Sequence, residues 1–397
     1  MDIINDIKNK AKANFREVQA IRHHLHQFPE LSFEEENTAS FVQKKLDEYG
    51  ISYQKNVAGH GIIALIKGNN PSKKVIALRA DLDALPIEEK NEVPYKSKNN
   101  GVMHACGHDV HTACLLGAAK ILNSLQKEFE GTIKLIFQPG EEKLPGGASL
   151  MISAGVLKNP NVESIIGQHV YPELEVGKVG LRSGMYMASA DELHVKVIGK
   201  GGHGALPQHT VDAVLMASTI IVNLQQIVSR NAPPTVPTVL SFGKIIGNGA
   251  TNVLPSEVFL EGTFRTMNED WRADAHQKMK KLAESIAEGM GGLCEFEIHK
   301  GYPFLCNDES TTKITYAAAQ QYLGAENVID LDLRMTAEDF SYYTHHTKGC
   351  FYRLGTGNKE KGITQKVHHP QFDIDESALE IGMGFMAYQA ICQLKTE

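Results

Sequence analysis

Short β-branched runs alternate with helical stretches over the first half of the chain, and this alternation limits the fold more than any other feature. The predicted elements are strands at 61–66, 75–78, 132–137 and 164–170 and helices at 33–49 and 112–125. Such an alternation is typical of a largely parallel sheet covered by helices. The same pattern resumes after Gly301 and continues to a closing helix at 376–393.

Two local patterns near the amino terminus make specific predictions. Ser32 is followed three residues later by Glu35, and Gly50 stands where a helix that starts there would end. This spacing predicts a capping box at the start of helix 33–49. The preceding amphipathic helix, which Pro29 ends, carries the run Arg-His-His-Leu-His at 22–26. We expect the histidines of that run to form a solvated face.

The order of predicted elements changes between about residues 190 and 299. It becomes strand 192–198, helix 212–229, strand 238–245, strand 257–266, helix 271–288 and strand 294–299. This β-α-β-β-α-β order is that of a ferredoxin-like unit. We therefore predict a catalytic domain in two parts, at 1–186 and 300–397, with a second domain inserted at 187–299.

Composition excludes several classes of protein. The 397 residues include 40 basic and 47 acidic side chains, a net charge of −7, so the basic surface of a nucleic-acid binder is missing. The apolar stretch 213–228 is interrupted by polar residues and is shorter than the roughly 20 residues of a membrane crossing. Six cysteines without a Cys-x-x-Cys pair or a secretion signal indicate reduced thiols. We expect a cytoplasmic protein without a nucleic-acid or membrane partner.

Groups able to bind a metal ion follow several of the predicted strands. The carboxyl ends of parallel strands meet at one edge of a sheet, where ligands bind, and burying many ionisable groups there is costly without a cation. The groups in question are Asp81, Asp83, Cys106, His108, Asp109, His111, Glu141, Glu142 and His169. Taken alone, a Cys-x-His pair or a strand-end histidine is more often structural, and the pair Glu141-Glu142 is equally compatible with a solvated loop.

Two adjacent residues that directly follow one strand cannot easily have the same chemical role. Of the adjacent carboxylates Glu141 and Glu142, one is suited to metal coordination and the other to service as a general base. The thiolate of Cys106 and the imidazole of His108 are soft and borderline donors that suit a divalent transition metal. These residue types together point to metal-assisted chemistry.

Eight short motifs, in order across nearly the whole chain, make the sequence similar to the amidohydrolases of metallopeptidase family 20. The resemblance is to the branch of aminoacylases, hippurate hydrolases and indole-acetyl-amino-acid hydrolases. The motifs are Arg79-Ala-Asp-Leu-Asp-Ala-Leu-Pro86, Met103-His-Ala-Cys-Gly-His-Asp109, Gln138-Pro-Gly-Glu-Glu142, Gly167-Gln-His169, Gly199-Lys-Gly-Gly-His203, Asn252-Val-Leu-Pro255, Glu338-Asp-Phe340 and His368-His-Pro370.

The resemblance implies an α/β fold with a zinc-exopeptidase-like catalytic domain, whose mixed sheet is mainly parallel, and an inserted ferredoxin-like α+β lid domain. It implies two divalent metal ions, zinc or manganese, with cobalt or nickel as further options. It also implies Glu141 as the general base and Asp83 as an orienting carboxylate. The implied metal ligands are Cys106, His108, Glu142, His169 and His368. His369 departs from the family pattern, and counting back from Pro370 favours His368 over His369 as the ligand.

In the smaller domain, the resemblance implies that His203 reaches the substrate carbonyl and that Asn252 and Arg265 bind the substrate carboxylate. It also makes Glu338 a candidate substrate contact. Relatives often pair through the inserted domain, so a homodimer formed there is an open expectation.

The expected activity is hydrolysis of the amide bond of an N-acyl amino acid or a related small conjugate. Two alternatives stay open. One is a non-catalytic relative that binds such conjugates. The other is a nicotinamide-dependent oxidoreductase using the glycine-rich stretch 199–204, although a dinucleotide site needs a helix to start directly after the glycines.

Overall fold

A computed structural model describes residues 2–395 of the protein. Its α-helices are α1 Ile3–Gln27, α2 Glu36–Glu48, α3 His108–Ser124, α4 Gly147–Ser153, α5 Ala213–Gln226, α6 Glu269–Gly289, α7 Glu309–Leu323, α8 Ser341–Thr344 and α9 Ser377–Lys395. Its strands are β1 Tyr53–Val57, β2 Gly61–Lys67, β3 Val75–Asp81, β4 Thr132–Gln138, β5 Ser164–Glu175, β6 Val179–Leu181, β7 Gly184–Met187, β8 Asp191–Ile198, β9 Gly202–His203, β10 Thr238–Ile246, β11 Val253–Leu254, β12 Glu257–Thr266, β13 Leu293–Lys300, β14 Leu305–Asn307, β15 Val328–Asp330 and β16 Lys348–Gly357.

The larger of two compact units is built on an eight-stranded sheet. This unit comprises the chain up to Gly184, the segment Cys306–Asp332 and the chain from Asp339 onward. Its strand order is β1-β2-β4-β3-β5-β16-β6-β15, and the four central strands β4, β3, β5 and β16 are parallel. Every residue of β3 and β4 is buried, as expected for strands covered on both faces. The predicted mixed, mainly parallel sheet is confirmed.

Helices of the larger unit position the segment that carries the predicted ligands. Helix α3 contacts β3 and packs against α1 and α9, and nearly all of its residues from His108 to Leu122 are buried. Helices α4 and α8 pack together, and they contact β4 and β16 respectively. The rigid packing of α3 fixes the start of that helix, where His108 lies.

The second unit comprises Met185–Leu305 and Leu333–Glu338. Its antiparallel sheet has the order β10-β12-β8-β13, and α5 and α6 pack on that sheet. The chain order β8-α5-β10-β12-α6-β13 and this strand order are those of the predicted ferredoxin-like unit. The helical stretch Ala213–Asn231 has the length and mean hydropathy, 1.2, of a membrane span, but its buried side belongs to this unit's own core.

The predicted capping box at α2 is wrong. The helix begins at Glu36, and neither the Ser32 nor the Glu35 side chain accepts a hydrogen bond from its first turn. The Glu30 carboxylate performs that function, since it accepts the backbone N–H groups of Asn37 at 3.1 Å and Thr38 at 2.8 Å. Ser32 and Glu35 are therefore left to make other contacts.

The expected solvated histidine face of α1 is also wrong in part. His26 is wholly buried, as is the neighbouring Arg22. Asp109 lies between them, with one carboxylate oxygen 2.9 Å from Arg22 Nε and 2.8 Å from His26 Nδ1. This buried ion pair joins α1 to the start of α3, next to the predicted ligand His108.

Candidate metal centre

The five predicted metal ligands lie together in the larger unit. The ligand atoms of Cys106, His108 and His169 all lie within 4.8 Å of one another, and so do those of Cys106, Glu142 and His368. Cys106 Sγ is 3.4 Å from His169 Nε2, and Glu142 Oε1 is 3.2 Å from His368 Nε2. The two groups of donors overlap at Cys106, so the donors suffice for more than one ion.

The backbone has a positive φ at two points next to or at these ligands. Gly107, between Cys106 and His108, has φ +81°, and a Cβ atom there would lie 2.5 Å from Val170 Cγ2. His368 itself has φ +65°, a left-handed conformation that is uncommon for residues other than glycine and concentrates at functional sites. The backbone N–H of His368 donates to Ala105 O at 2.7 Å, which ties this loop to the Cys106 segment.

Hydrogen bonds fix which nitrogen of each ligand histidine faces the cluster. His108 Nδ1 lies 2.9 Å from the Asp83 carbonyl oxygen and 3.2 Å from Asp83 Oδ1, so it donates and Nε2 is left as the acceptor. His169 Nδ1 donates in the same way to Val170 O at 2.8 Å. This pattern, one ring nitrogen held by the protein and the other presented to a cation, is typical of metal-binding histidines.

His111 lies beside the cluster but both of its nitrogens are already used. Its Nδ1 lies 2.6 Å from Asp81 Oδ1, and its Nε2 accepts the backbone N–H of Val170 at 2.9 Å. His111 therefore acts as a spacer between α3 and β5, and Asp81 holds it in place.

Two observations test whether these donors fit a divalent cation. Nε2 of His108 is buried and has no hydrogen-bond partner, although unsatisfied buried nitrogens are rare. Burial, together with the charges of Glu142 and Glu141, raises the pKa of the Cys106 thiol well above its ordinary value. A divalent cation would satisfy the nitrogen and offset the negative charge, so the residues fit.

Glu141 lies at the edge of the same cluster. A carboxylate oxygen of Glu141 and the ligand atoms of His108 and Glu142 lie within 4.8 Å of one another. Glu141 is 6% exposed, and its Oε1 is 3.4 Å from the backbone nitrogen of Asp339. The neighbouring carboxylates thus lie close enough to serve one site.

A buried arginine joins the ends of the strands beneath the cluster. Arg79 donates to Asp81 at 2.5 Å, to Gln138 at 3.0 Å and to Asp339 at 2.7 Å. Asp339 also accepts the backbone N–H of Ala148 at 2.9 Å. Since β3 and β4 carry the loops that lead to Asp83 and Glu141, this network fixes the separation of those loops.

Ser32 and Glu35 contact the same two loops from the segment before α2. Ser32 Oγ donates to Asp83 Oδ2 at 2.6 Å, and that oxygen also accepts the backbone N–H of Glu142 at 2.9 Å. Glu35 Oε1 accepts the backbone N–H of Gly140 at 2.7 Å. Burial, with the charge of Asp83, raises the pKa of Glu35 to about 7. We call this pair of contacts the Ser32–Glu35 clamp.

The four remaining predicted site residues belong to the second unit. His203, in β9, pairs with Val253 of β11, and the Gly204 N–H donates to Asn252 O at 2.8 Å. His203 Nδ1 accepts the Ala205 N–H at 3.1 Å. Arg265 lies on β12 and Glu338, 2% exposed, on the returning segment 333–338. The pairing of β9 with β11 brings His203 and Asn252 together.

Sequence reasoning missed the residues that hold the ligands rather than the ligands themselves. Arg79, Ser32, Glu35 and His111 all bond to residues distant in the chain. The sequence singled out Ser32 and Glu35 as a helix cap and His111 as a possible metal-binding group, and Arg79 stands in one of the quoted motifs, but none of these patterns indicated the partners found here.

The mixed α/β sheet, the inserted ferredoxin-like unit and the sulfur, imidazole and carboxylate donors define the class of metal-dependent hydrolases of C–N bonds. Residues 77–390 match the family model described as peptidase family M20/M25/M40. The chain belongs to this family.

Relatives and solved structures agree with that assignment. The chain is 42% identical over 379 residues to the N-acetyl-L-cysteine deacetylase of Bacillus subtilis, covering 96% of this chain and 88% of that protein. It is 45% identical over 294 residues to the N-acyl-L-amino acid amidohydrolase of Geobacillus stearothermophilus, covering 74% and 79%. The Bacillus subtilis YXEP protein, described as a dinuclear metal-binding M20 peptidase, matches with a TM-score of 0.83 and 35% identity over 97% of this chain and 100% of that chain. The predicted family and hydrolase class are confirmed.

Proposed function

We propose that the protein hydrolyses the amide bond of N-acyl amino acids in the cytoplasm, with a pair of divalent metal ions. The observation that carries this proposal is the convergence of Cys106, His108, Glu142, His169 and His368 around shared positions, with Glu141 at the edge. Relatives named for the deacylation of N-acetyl-L-cysteine and of N-acyl-L-amino acids support this substrate class.

The five ligands would hold zinc or manganese, and cobalt or nickel would also suit a mixed sulfur, nitrogen and carboxylate set. Divalent ions bound there would acidify water and polarise the substrate carbonyl oxygen. Asp83 keeps the His108 ring in the orientation that leaves Nε2 for coordination, because its oxygens hold Nδ1.

Glu141 is proposed as the general base and then the general acid. Its carboxylate would take a proton from the attacking water and pass that proton to the departing amine nitrogen. The Asp339 N–H, 3.4 Å from Oε1, restrains the side chain. Glu142, as a ligand, could not exchange protons in the same way, which explains why two adjacent carboxylates have different tasks.

His203, Asn252, Arg265 and Glu338 are proposed as substrate contacts. Because His203 Nδ1 accepts the Ala205 N–H, a neutral ring carries its proton on Nε2. Nε2–H is then the group available to donate to the substrate carbonyl oxygen as negative charge develops. Arg265 has the planar fork that recognises a carboxylate. We further propose that any homodimer forms through the second unit.

The two alternatives predict different behaviour. A dinucleotide site in the glycine-rich stretch would need a helix to begin directly after Gly204, whereas α5 begins at Ala213. Nicotinamide cofactors should therefore fail to bind in a direct titration. A non-catalytic relative would bind N-acyl amino acids without turning them over.

The proposal is tested by screening N-acetyl, N-benzoyl and larger N-acyl amino acids for hydrolysis with Zn²⁺, Mn²⁺, Co²⁺ and Ni²⁺. Glu141→Gln should lower kcat about 10²- to 10⁴-fold, because the base is lost, while the metal content stays near that of the wild type. Glu163→Gln, at an exposed acid of the same unit, is the matched control. Full activity of Glu141→Gln, or no hydrolysis of any substrate by the metal-loaded wild type, would refute the proposal.

A further inference from the structure

The solvent-facing side of the second unit's sheet carries two histidines and two glutamates on neighbouring strands. Glu192 and His194 alternate with buried residues along β8, and Glu297 and His299 lie at the facing positions of β13. In the antiparallel register, Glu192 is opposite His299, and His194 is opposite Glu297. Residues that lie directly opposite each other on two antiparallel strands have their side chains on the same face of the sheet. The four side chains therefore form a square, which we call the β8–β13 cluster.

The side chains of this square approach one another within the reach of a single ion. His194 Nε2 is 3.4 Å from Glu192 Oε2, and His299 Nε2 is 3.7 Å from Glu297 Oε2. The two imidazole rings lie with centroids 4.5 Å apart and planes inclined by 35°. The ligand atoms of Glu192, His194 and His299 all lie within 4.8 Å of one another. Tetrahedral zinc with bonds of about 2.0–2.1 Å holds its ligand atoms roughly 3.3 Å apart, so small rotations suffice.

Nearby lysines are paired with other carboxylates. Lys196 Nζ is 2.9 Å from Glu257, and Lys244 Nζ is 2.7 Å from Glu261, the residue on β12 that faces His194. The two carboxylates of the cluster thus lie next to histidines and not next to these lysines. Neutral imidazole and carboxylate together suit zinc, nickel or copper, whereas magnesium and calcium prefer all-oxygen sites.

We propose that the β8–β13 cluster is a second metal site, separate from the ligands of the candidate metal centre, that binds one divalent transition-metal ion per chain. Glu192, His194 and His299 are the ligands, and Glu297 completes the site. The backbone supports the arrangement, because the ligands alternate with core residues such as Leu193, Val195 and Phe296 that fix the two strands. None of the four residues takes part in the proposed hydrolysis.

Metal counting tests the site in the full-length, metal-loaded protein. Wild type and a His194→Ala/His299→Ala double variant are equilibrated with Zn²⁺ and their bound zinc per chain is measured. We expect the double variant to bind one equivalent less and to keep its hydrolytic activity. His209→Ala, at an exposed histidine of the same unit, is the control and should bind as much zinc as the wild type.

The thermal unfolding of the second unit provides a separate readout. Trp271, the one tryptophan of the sequence, lies at the start of α6 in this unit, so its fluorescence follows the unfolding of this unit. An ion that joins β8 to β13 in the folded state should raise the Tm of this transition. Zn²⁺ and Ni²⁺ should raise the wild-type Tm, Mg²⁺ should not, and the double variant should lose the effect.

Equal zinc content in wild type and double variant would overturn the proposal, as would a zinc-dependent Tm that survives both substitutions. A Glu192→Gln variant guards against misfolding of the double variant, because it keeps the size of the side chain while removing the negative charge. It should bind the additional ion at least tenfold more weakly. An unchanged affinity of that variant for the additional zinc ion would show that Glu192 is not a ligand. Loss of hydrolysis alone, with the zinc difference intact, would bear on the proposed function and not on this site.

Discussion

The Ser32–Glu35 clamp holds the backbone from which Glu141 and Glu142 project. The Glu35 carboxylate accepts the Gly140 N–H, and Gly140 itself has φ +61° with the Phe33 ring where a side chain would be. The Ser32 hydroxyl shares Asp83 Oδ2 with the Glu142 N–H. These two side chains therefore connect the loop of Glu141, the proposed general base, and the loop of Asp83 to one segment.

Removing the acceptor at Glu35 should disturb catalysis more than folding. Glu35→Ala leaves the buried Gly140 N–H unsatisfied, at a cost of about 1–3 kcal/mol, and frees the loop of Glu141. Because a displacement of about 1 Å can cost about 100-fold in rate, we expect kcat to fall by that order with a smaller change in KM.

The conservative variant separates positioning from general stability. Glu35→Gln keeps an oxygen acceptor for Gly140 and should recover most of the lost kcat, and Glu34→Ala, at the exposed neighbour, should resemble the wild type. Steady-state kinetics with metal analysis on all three variants decides the matter. If Glu35→Ala retains wild-type kcat, the clamp has no catalytic consequence.

At the scale of single residues, sequence predicts donors better than it predicts what holds them. Cys106 and His108 lie just before and at the start of α3, and His169 was predicted at the end of a strand, although β5 continues to Glu175. Their convergence follows from the parallel topology. The burial of Arg22 depends on Asp109, which is 87 residues away, and no local pattern carries that information. The spacing of Ser32 and Glu35 predicts a helix cap, but both side chains instead bond to residues distant in the chain, Asp83 and Gly140.

At the scale of elements, β8 and α6 are joined by one buried carboxylate. Asp191, the first residue of β8, accepts from Arg272 Nε at 2.9 Å and lies 2.7 Å from His276 Nε2. It also accepts the Gly301 N–H at 3.2 Å. Burial alone would raise the pKa of Asp191, but His276 and Arg272 lower it below its ordinary value.

Asp191→Asn should destabilise the second unit by up to about 3–5 kcal/mol at pH 7, because it removes the buried anionic partner of Arg272 and leaves only the more exposed Glu269, 3.0 Å from Arg272 Nη1. A carboxyl group with a lowered folded-state pKa stabilises the fold above its unfolded-state value, near 3.9, and that contribution is lost as the pH falls. The difference between the two proteins should therefore be full at pH 6 and shrink below about pH 4. Urea unfolding followed by Trp271 fluorescence measures the difference.

An exposed acid on α6 provides the control for this experiment. Glu284→Gln should change the unfolding free energy by less than about 0.5 kcal/mol. A difference between wild type and Asp191→Asn that stays constant from pH 6 to pH 3 would show that the charge of Asp191 is not the source of its effect.

Long elements were predictable because their patterns are strong, and short ones were not. The β-α-β-β-α-β order of the second unit follows from strands and helices of eight or more residues. Strands β6, β14 and β15 have three residues each, too few for an alternating pattern to stand out. Helix α1 was predicted, but its buried polar side was not, because hydrophobic periodicity cannot identify a buried ion pair.

At the scale of the whole molecule, metal removal should weaken both activity and stability. In the candidate metal centre, carboxylates lie close to the buried thiol of Cys106. A cation that binds only the folded chain stabilises it by about 2.7 kcal/mol when the free cation concentration is 100 times the Kd. Chelation should abolish hydrolysis and lower the Tm of the larger unit, and added Zn²⁺ or Mn²⁺ should restore both.

Cys106→Ala is the matched test, because it removes one donor without adding charge. Chelation should change the Tm of this variant less than that of the wild type. Cys114→Ala, at a buried cysteine outside the donor groups, should respond to chelation as the wild type does. An activity that survives thorough chelation would contradict the metal assignment.

The second unit is assembled from two stretches of chain, since Ala188 donates its N–H to the carbonyl oxygens of Arg334 and Thr336 at 3.1 Å. A gene fragment that encodes only 185–305 would therefore produce a piece with a missing neighbour beside Ala188. Supplying the hexapeptide 333–338 in trans should complete such a fragment, as a severed protein is completed by its own peptide. A chimera that places the second unit in another hydrolase must therefore include both segments, 185–305 and 333–338.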